Sequence, residues 1–162
     1  NELNLADDAR KILRPMANEV RSMSPAANGA YAIESAGTSS FVFFSDISGD
    51  AKTERVRYFL SGTTLKKGVK TASGNPSVYG TESITDVVSG IRNGSSAIFE
   101  YYDTNYTGSS TSTPLTYPMS TDSIRLVKIT FIIDAIATDG ISSTTVSTQV
   151  SLRNLKDNLW FF

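Results

Sequence analysis

The chain has 162 residues, 15 basic and 16 acidic, for a net charge of -1. That length fits one domain with a real core, and the charge balance gives no reason to propose nucleic acid or an anionic membrane surface as a partner. There is no Cys and no His, which excludes disulfides and thiolate chemistry and removes the usual general base and the commonest zinc ligand.

Ser and Thr supply about a quarter of the residues, and charged residues only 19%. Surfaces solvated by hydroxyls are frequent among exported β proteins. No apolar run approaches the ~20 residues of a membrane span, and no signal peptide is visible. The chain opens NELNLADDARKIL, without Met. The expectation is a fragment that starts partway into something longer.

Residues 1–23 have a helical period. Leu5, Ala9, Ile12, Leu13, Met16, Val20 and Met23 recur at steps of three and four and share one face. Arg10, Arg14, Asn18 and Arg21 fall mostly on the other. Pro15 predicts a kink or a break, and Pro25 and Gly29 predict the end of the helix. Beyond Gly29 the period becomes two. Strands are predicted at 30–35, 40–46, 53–61 and 64–71, the last three as a meander with a tight Gly62-Thr63 turn. In the third, Val56, Tyr58 and Leu60 share one face, and Arg55, Arg57 and Phe59 the other. A loop is predicted at 71–80, a short helical turn at 82–91 and a strand at 96–103. The polar, low-complexity stretch 104–121 is predicted to be an exposed loop. Two long strands close the chain, 123–135 and 143–154, with a loop at 138–143 between them. The expected fold class is α+β: one domain over 1–162, with a helix at 1–24 packed on an antiparallel, β-rich part at 30–155.

The order of these segments resembles the type IV pilin-like family. The helix ARKILRPMANEVRSMSP is followed by FVFFSDISGDAKTERVRYFLSGTTLKKGV, then VVSGIRNGSSAIFEYYD, a Pro-containing loop, SIRLVKITFII and STTVSTQVSLRNL. Arg57-Tyr58 with Leu60, then Leu65-Lys66-Lys67, resembles that family's hairpin. Residues 99–103 resemble its "F-x-Y-Y-D" strand, and 148–155 its terminal strand ending in "L-R-N-L". J-type minor pseudopilins of type II secretion and W-type minor pilins are the nearest in pattern. The resemblance implies a pilin-like fold and a leader and apolar membrane helix upstream of Asn1, with a methylated mature N-terminus. It also implies a non-enzymatic role at a filament tip in assembly initiation, with other minor and major pilin-like subunits as partners. The protein would sit in the cell envelope, anchored in the inner membrane before assembly and extracytoplasmic in the filament afterwards. A free-standing β-rich binding or adhesion module using loop 104–121 is the alternative.

Chemistry-bearing patterns are sparse. Many Ser residues have no His or Cys to pair with, and no S-x-x-K stands at a helix start. Glu34, Glu54, Glu100 and Asp134 fall in or beside predicted strands without a legible facing pair. Residues 90–94 lack the Lys-Ser/Thr ending of a phosphate loop. The sequons at Asn93 and Asn105 are read as chance. No enzyme and no required cofactor is expected. In the helix, Leu3 and Leu5 are expected to be subunit contacts, with Asp7 and Asp8 steering pairing at the rim.

One stretch has two readings. Asp46, Ser48, Asp50 and Glu54 present oxygens at close spacing, as calcium ligands do. The EF-hand pattern fails, because Gly49 is one position early and Arg57 stands where a closing Glu is required. The favoured reading is a strand-connecting turn, in which Asp46 and Ser48 accept backbone N–H bonds and Gly49-Asp50 supplies left-handed geometry.

Overall fold

The computed structural model describes residues 2–108, 112–137 and 140–152, with side chains at all of these except 2–6, 135–137 and 141. Helix α1 spans Glu2–Arg21. Its apolar stripe forms as its spacing requires: Ala9, Leu13, Met16, Ala17 and Val20 are buried. Pro15 neither breaks nor ends it. The proline deprives the Lys11 carbonyl of its helical donor, but Lys11 and Pro15 both face solvent, where water can serve that carbonyl. Met23, just past the helix, bridges to Ser45.

Ten strands follow. The first sheet takes β1 (Ile33–Ala36), β2 (Ser40–Ser45), β3 (Glu54–Ser61), β4 (Thr64–Lys70) and β7 (Ser83–Val88), in that spatial order. All its neighbours run antiparallel. The predicted meander is its centre, and Gly62, at φ 63°, makes the tight turn between β3 and β4. A two-stranded ribbon, β5 (Ala72–Ser73) and β6 (Val78–Tyr79), occupies the predicted 71–80 loop. The third sheet orders β10 (Gly140–Ser151), β9 (Leu126–Ala137) and β8 (Phe99–Tyr102).

Three expectations are corrected. Among the described residues strand far outweighs helix, so the molecule is mostly β, three antiparallel sheets with one 20-residue helix, and the α+β pilin-like fold class is not met. Part of the difference is 82–91, where β7 replaces the predicted helical turn. Ile84, Val87 and Val88 fit either period, but backbone pairing with β4 and β-branched side chains favour the strand. The predicted 138–143 loop is the third: β9 and β10 pair one to one from Gly140↔Ala137 to Ser151↔Leu126, so 140–143 belong to the ladder.

One core joins the layers. Phe41 of β2 meets Phe43, Phe99 and Tyr101 at ring separations of 4.9, 5.7 and 5.4 Å. These aromatics tie the first sheet to the third. The Tyr101 hydroxyl donates to the Gly37 carbonyl at 2.8 Å, which satisfies its one polar atom. Burial raises the Tyr101 phenol well above its ordinary pKa. Helix α1 lies mainly against β9 and β10, and its inner face joins the same cluster.

Candidate functional site

The acidic turn between β2 and β3 is drawn together tightly. Carboxylate oxygens of Asp46, Asp50 and Glu54 lie within 4.8 Å of one another. Such proximity is costly unless the charges are compensated. Here backbone N–H groups compensate them. Asp46 accepts from Gly49, Asp50 and Ala51 at 2.9, 3.2 and 2.8 Å. Glu54, only 2% exposed, accepts from Ile47 and Ser48 N–H groups at 2.8 and 3.1 Å, and its second oxygen accepts from the Ser48 hydroxyl at 3.0 Å. Asp50 accepts the Lys52 N–H at 3.0 Å. That bond holds the Asp50 carboxyl below its ordinary pKa. Gly49 at φ 81° and Ala51 at φ 72° give the chain its left-handed bends. No Lys or Arg forms an ion pair with the three acids among the described residues.

All four residues of the calcium reading are thus brought together, and the turn reading explains why without an ion. Ser48 differs in role from the expectation, since its hydroxyl donates to Glu54. A calcium ion takes six to eight oxygens, and both oxygens of Asp46, both of Glu54 and Asp50 Oδ1 already accept hydrogen bonds from the turn itself.

The helix residues expected at a subunit contact are partly visible. Asp7 and Asp8 are exposed, and Asp7 pairs with Arg10 at 3.3 Å on the surface. The side chains of Leu3 and Leu5 lie outside the described residues. A groove of about 680 Å³ runs between α1 and β10, flanked by Arg10, Arg14 and Arg21. Their spacing in the sequence already shows one basic stripe. What it hides is that the stripe stands over a strand.

The sequence reading missed a polar node beneath the helix. Glu19, counted among no candidate, accepts from the Tyr58 hydroxyl and from Lys67 Nζ, both at 2.6 Å. Its backbone carbonyl accepts from Ser45 at 2.9 Å. Burial first, and then the Glu19 charge, raise the Tyr58 phenol far above its ordinary pKa. The node joins α1 to β2, β3 and β4, remote from it in sequence, so no local pattern announces it. Asn93 is another such residue. It is 4% exposed, donates to the Thr130 carbonyl at 3.0 Å and accepts the Ile132 N–H at 2.9 Å. In this fold its amide substitutes for a strand neighbour of β9 and is closed to modification.

Loop 104–121 is anchored at its far end. The Leu115 N–H donates to the Tyr101 carbonyl at 2.7 Å, and Leu115 and Met119 pack against the core. No helix among the described residues is long and apolar enough to cross a membrane. No protein-family model matches this sequence, and no curated protein matches it significantly.

Proposed function

We propose that this chain is a non-enzymatic assembly subunit, a minor pilin or pseudopilin acting at the tip of a type IV pilus or type II secretion pseudopilus. The observation that carries the reading is the form of α1. Among its described side chains, Asp7 and Asp8 are exposed and burial begins at Ala9. Its second half is riveted to the β-rich part by apolar packing and by Glu19. A helix held at one end and unburied at Asp7 and Asp8 is suited to continue into contacts with neighbouring subunits. The order of sequence segments supports the same reading. On it, the protein makes and breaks no bond. It is anchored in the inner membrane through an apolar helix upstream of Asn1, belongs to the cell envelope, and partners other pilin-like subunits.

The test is photo-crosslinking in intact cells from a reactive residue at position 7 or 8. Pilin-like subunits are the expected adducts, and loss of the gene is expected to reduce assembled filaments. Normal filaments without the protein, together with adducts only to unrelated proteins, overturn the proposal.

A further inference from the structure

Strands that end a sheet expose a row of unpaired N–H and C=O groups, and folded proteins usually blunt them. Three of the sheet-ending strands here are blunted. β1 has four residues, carries Glu34 and has an irregular register. β7 has six, carries Asp86 and shifts register against β4. β8 has four, carries Glu100, and its outer edge is covered: the Phe99 N–H donates to the Thr38 carbonyl and the Tyr101 carbonyl accepts from Leu115. β10 has none of these devices. It runs for 12 residues, GISSTTVSTQVS, without a charge or a Pro, and its register against β9 is unbroken. No described strand pairs with its other edge. Val146 and Val150 face the core, while Thr145, Ser147, Gln149 and Ser151 are exposed.

Beside this edge stands the basic stripe of α1. Arg10, Arg14 and Arg21 line the same groove as residues 145–148. Arg10 is turned partly toward Asp7, and Arg21 donates to Asn18 at 2.9 Å. The Arg14 side chain has no hydrogen bond or ion pair among the described residues. A groove with backbone donors and acceptors along one wall and guanidinium groups along the other selects an extended chain that carries carboxylates.

We infer that the outer edge of β10 is a docking site for an extended, acidic segment of a different protein, which adds as a fourth strand to the β8–β9–β10 sheet with its carboxylates against Arg10, Arg14 and Arg21. Main-chain pairing supplies affinity in such an addition, and side-chain contacts supply selectivity. A second copy of this chain is the poorer occupant. Two-fold pairing of β10 with itself would bring two arginine stripes to one seam, and like charges facing each other oppose association. The inference stands on the strand edge and the stripe, and does not depend on the filament reading.

The probe is a synthetic ten-residue peptide of alternating Thr/Val and Glu, titrated into the full chain. A Lys-for-Glu version and a version N-methylated at alternate amides serve as comparisons. The Glu peptide is expected to bind, with β9–β10 amides perturbed in NMR spectra. The Lys and N-methylated peptides are each expected to bind at least about tenfold more weakly. Arg14→Glu is expected to weaken the Glu peptide by about tenfold and to improve the Lys peptide. Because Arg14 is exposed, this variant retains the fold. Equal binding of the N-methylated peptide overturns strand addition, and equal binding of the Lys peptide overturns the acidic preference. A concentration-dependent dimer that excludes the peptide assigns the edge to a second copy. Binding seen only after deletion of residues 153–162 assigns it to the chain's own tail. No binding of any peptide to either form overturns the site.

Discussion

Glu54 shows how one buried carboxylate organises a turn. It sits at the first position of β3, 2% exposed, and its two oxygens hold the backbone of Ile47 and Ser48 and the Ser48 hydroxyl. Glu54→Gln leaves an amide group facing the Ser48 hydroxyl and removes a charge-assisted acceptor. A loss of about 1.5–3 kcal/mol in denaturant unfolding is expected. Calcium is expected to leave the melting temperature of the native chain unchanged relative to chelator, because N–H donors already meet these acids. A rise of several degrees would install the ion reading, since binding to the folded state adds stability by mass action. The sequence made this cluster legible, because its four members lie within nine positions. A second residue was not legible. Gly68 stands opposite Arg57 in the β3–β4 ladder, and a Cβ there would lie 2.2 Å from Glu82 Oε2. The bare backbone lets Glu82 lie over β4 and take Arg57 in a two-point pair at 2.9 and 2.8 Å. Gly68→Ala and Glu82→Gln therefore break one interaction, and their costs are expected to be strongly non-additive in a double-mutant cycle. Additive costs would show that Gly68 serves something other than Glu82.

At the scale of elements, the helix was the most legible piece and its attachment the least. The three-and-four spacing of Ala9, Leu13, Met16 and Val20 marks the buried face directly. Glu19 falls beside that face, and nothing local distinguishes it from an ordinary solvated glutamate. Its partners stand 39 and 48 residues away, on β3 and β4. The same non-locality explains β7: its apolar residues fit two periods, and only the pairing with β4 decides between them. The node is testable. Tyr58→Phe removes the hydroxyl donor while keeping the buried ring, and is expected to cost about 1.5–3 kcal/mol. With Lys67→Met the carboxylate also loses its cation. Hydrogen exchange should then quicken in the last two turns of α1 more than in β9. Uniform acceleration across both would mean that Glu19 supports global stability without specifically docking the helix.

At the scale of the whole molecule, the outer face of the five-stranded sheet is crossed by a chain of ion pairs. Arg55 of β3 pairs with Glu34 of β1 and lies 3.6 Å from Glu82, which in turn holds Arg57. Bonding to Arg55 lowers the Glu34 carboxyl below its ordinary 4.5, and bonding to Arg57 does the same for Glu82. A carboxyl whose pKa is lower folded than unfolded binds fewer protons in the native state. Its contribution is therefore complete above about pH 4.5 and is lost as the pH falls through the depressed values. With no His and no Cys, no side chain has an ordinary pKa between about 5 and 8. The melting temperature is expected to be nearly flat from about pH 8 to about pH 5 and to fall below that. Glu34 is substantially exposed, so solvent and salt weaken its share, and Glu82 is the better place to look. Glu82→Gln should melt lower than the native chain near pH 7 and converge with it near pH 3. A deficit of equal size at both pH values would mean that Glu82 acts by packing against β4, and that charge across this sheet face contributes nothing.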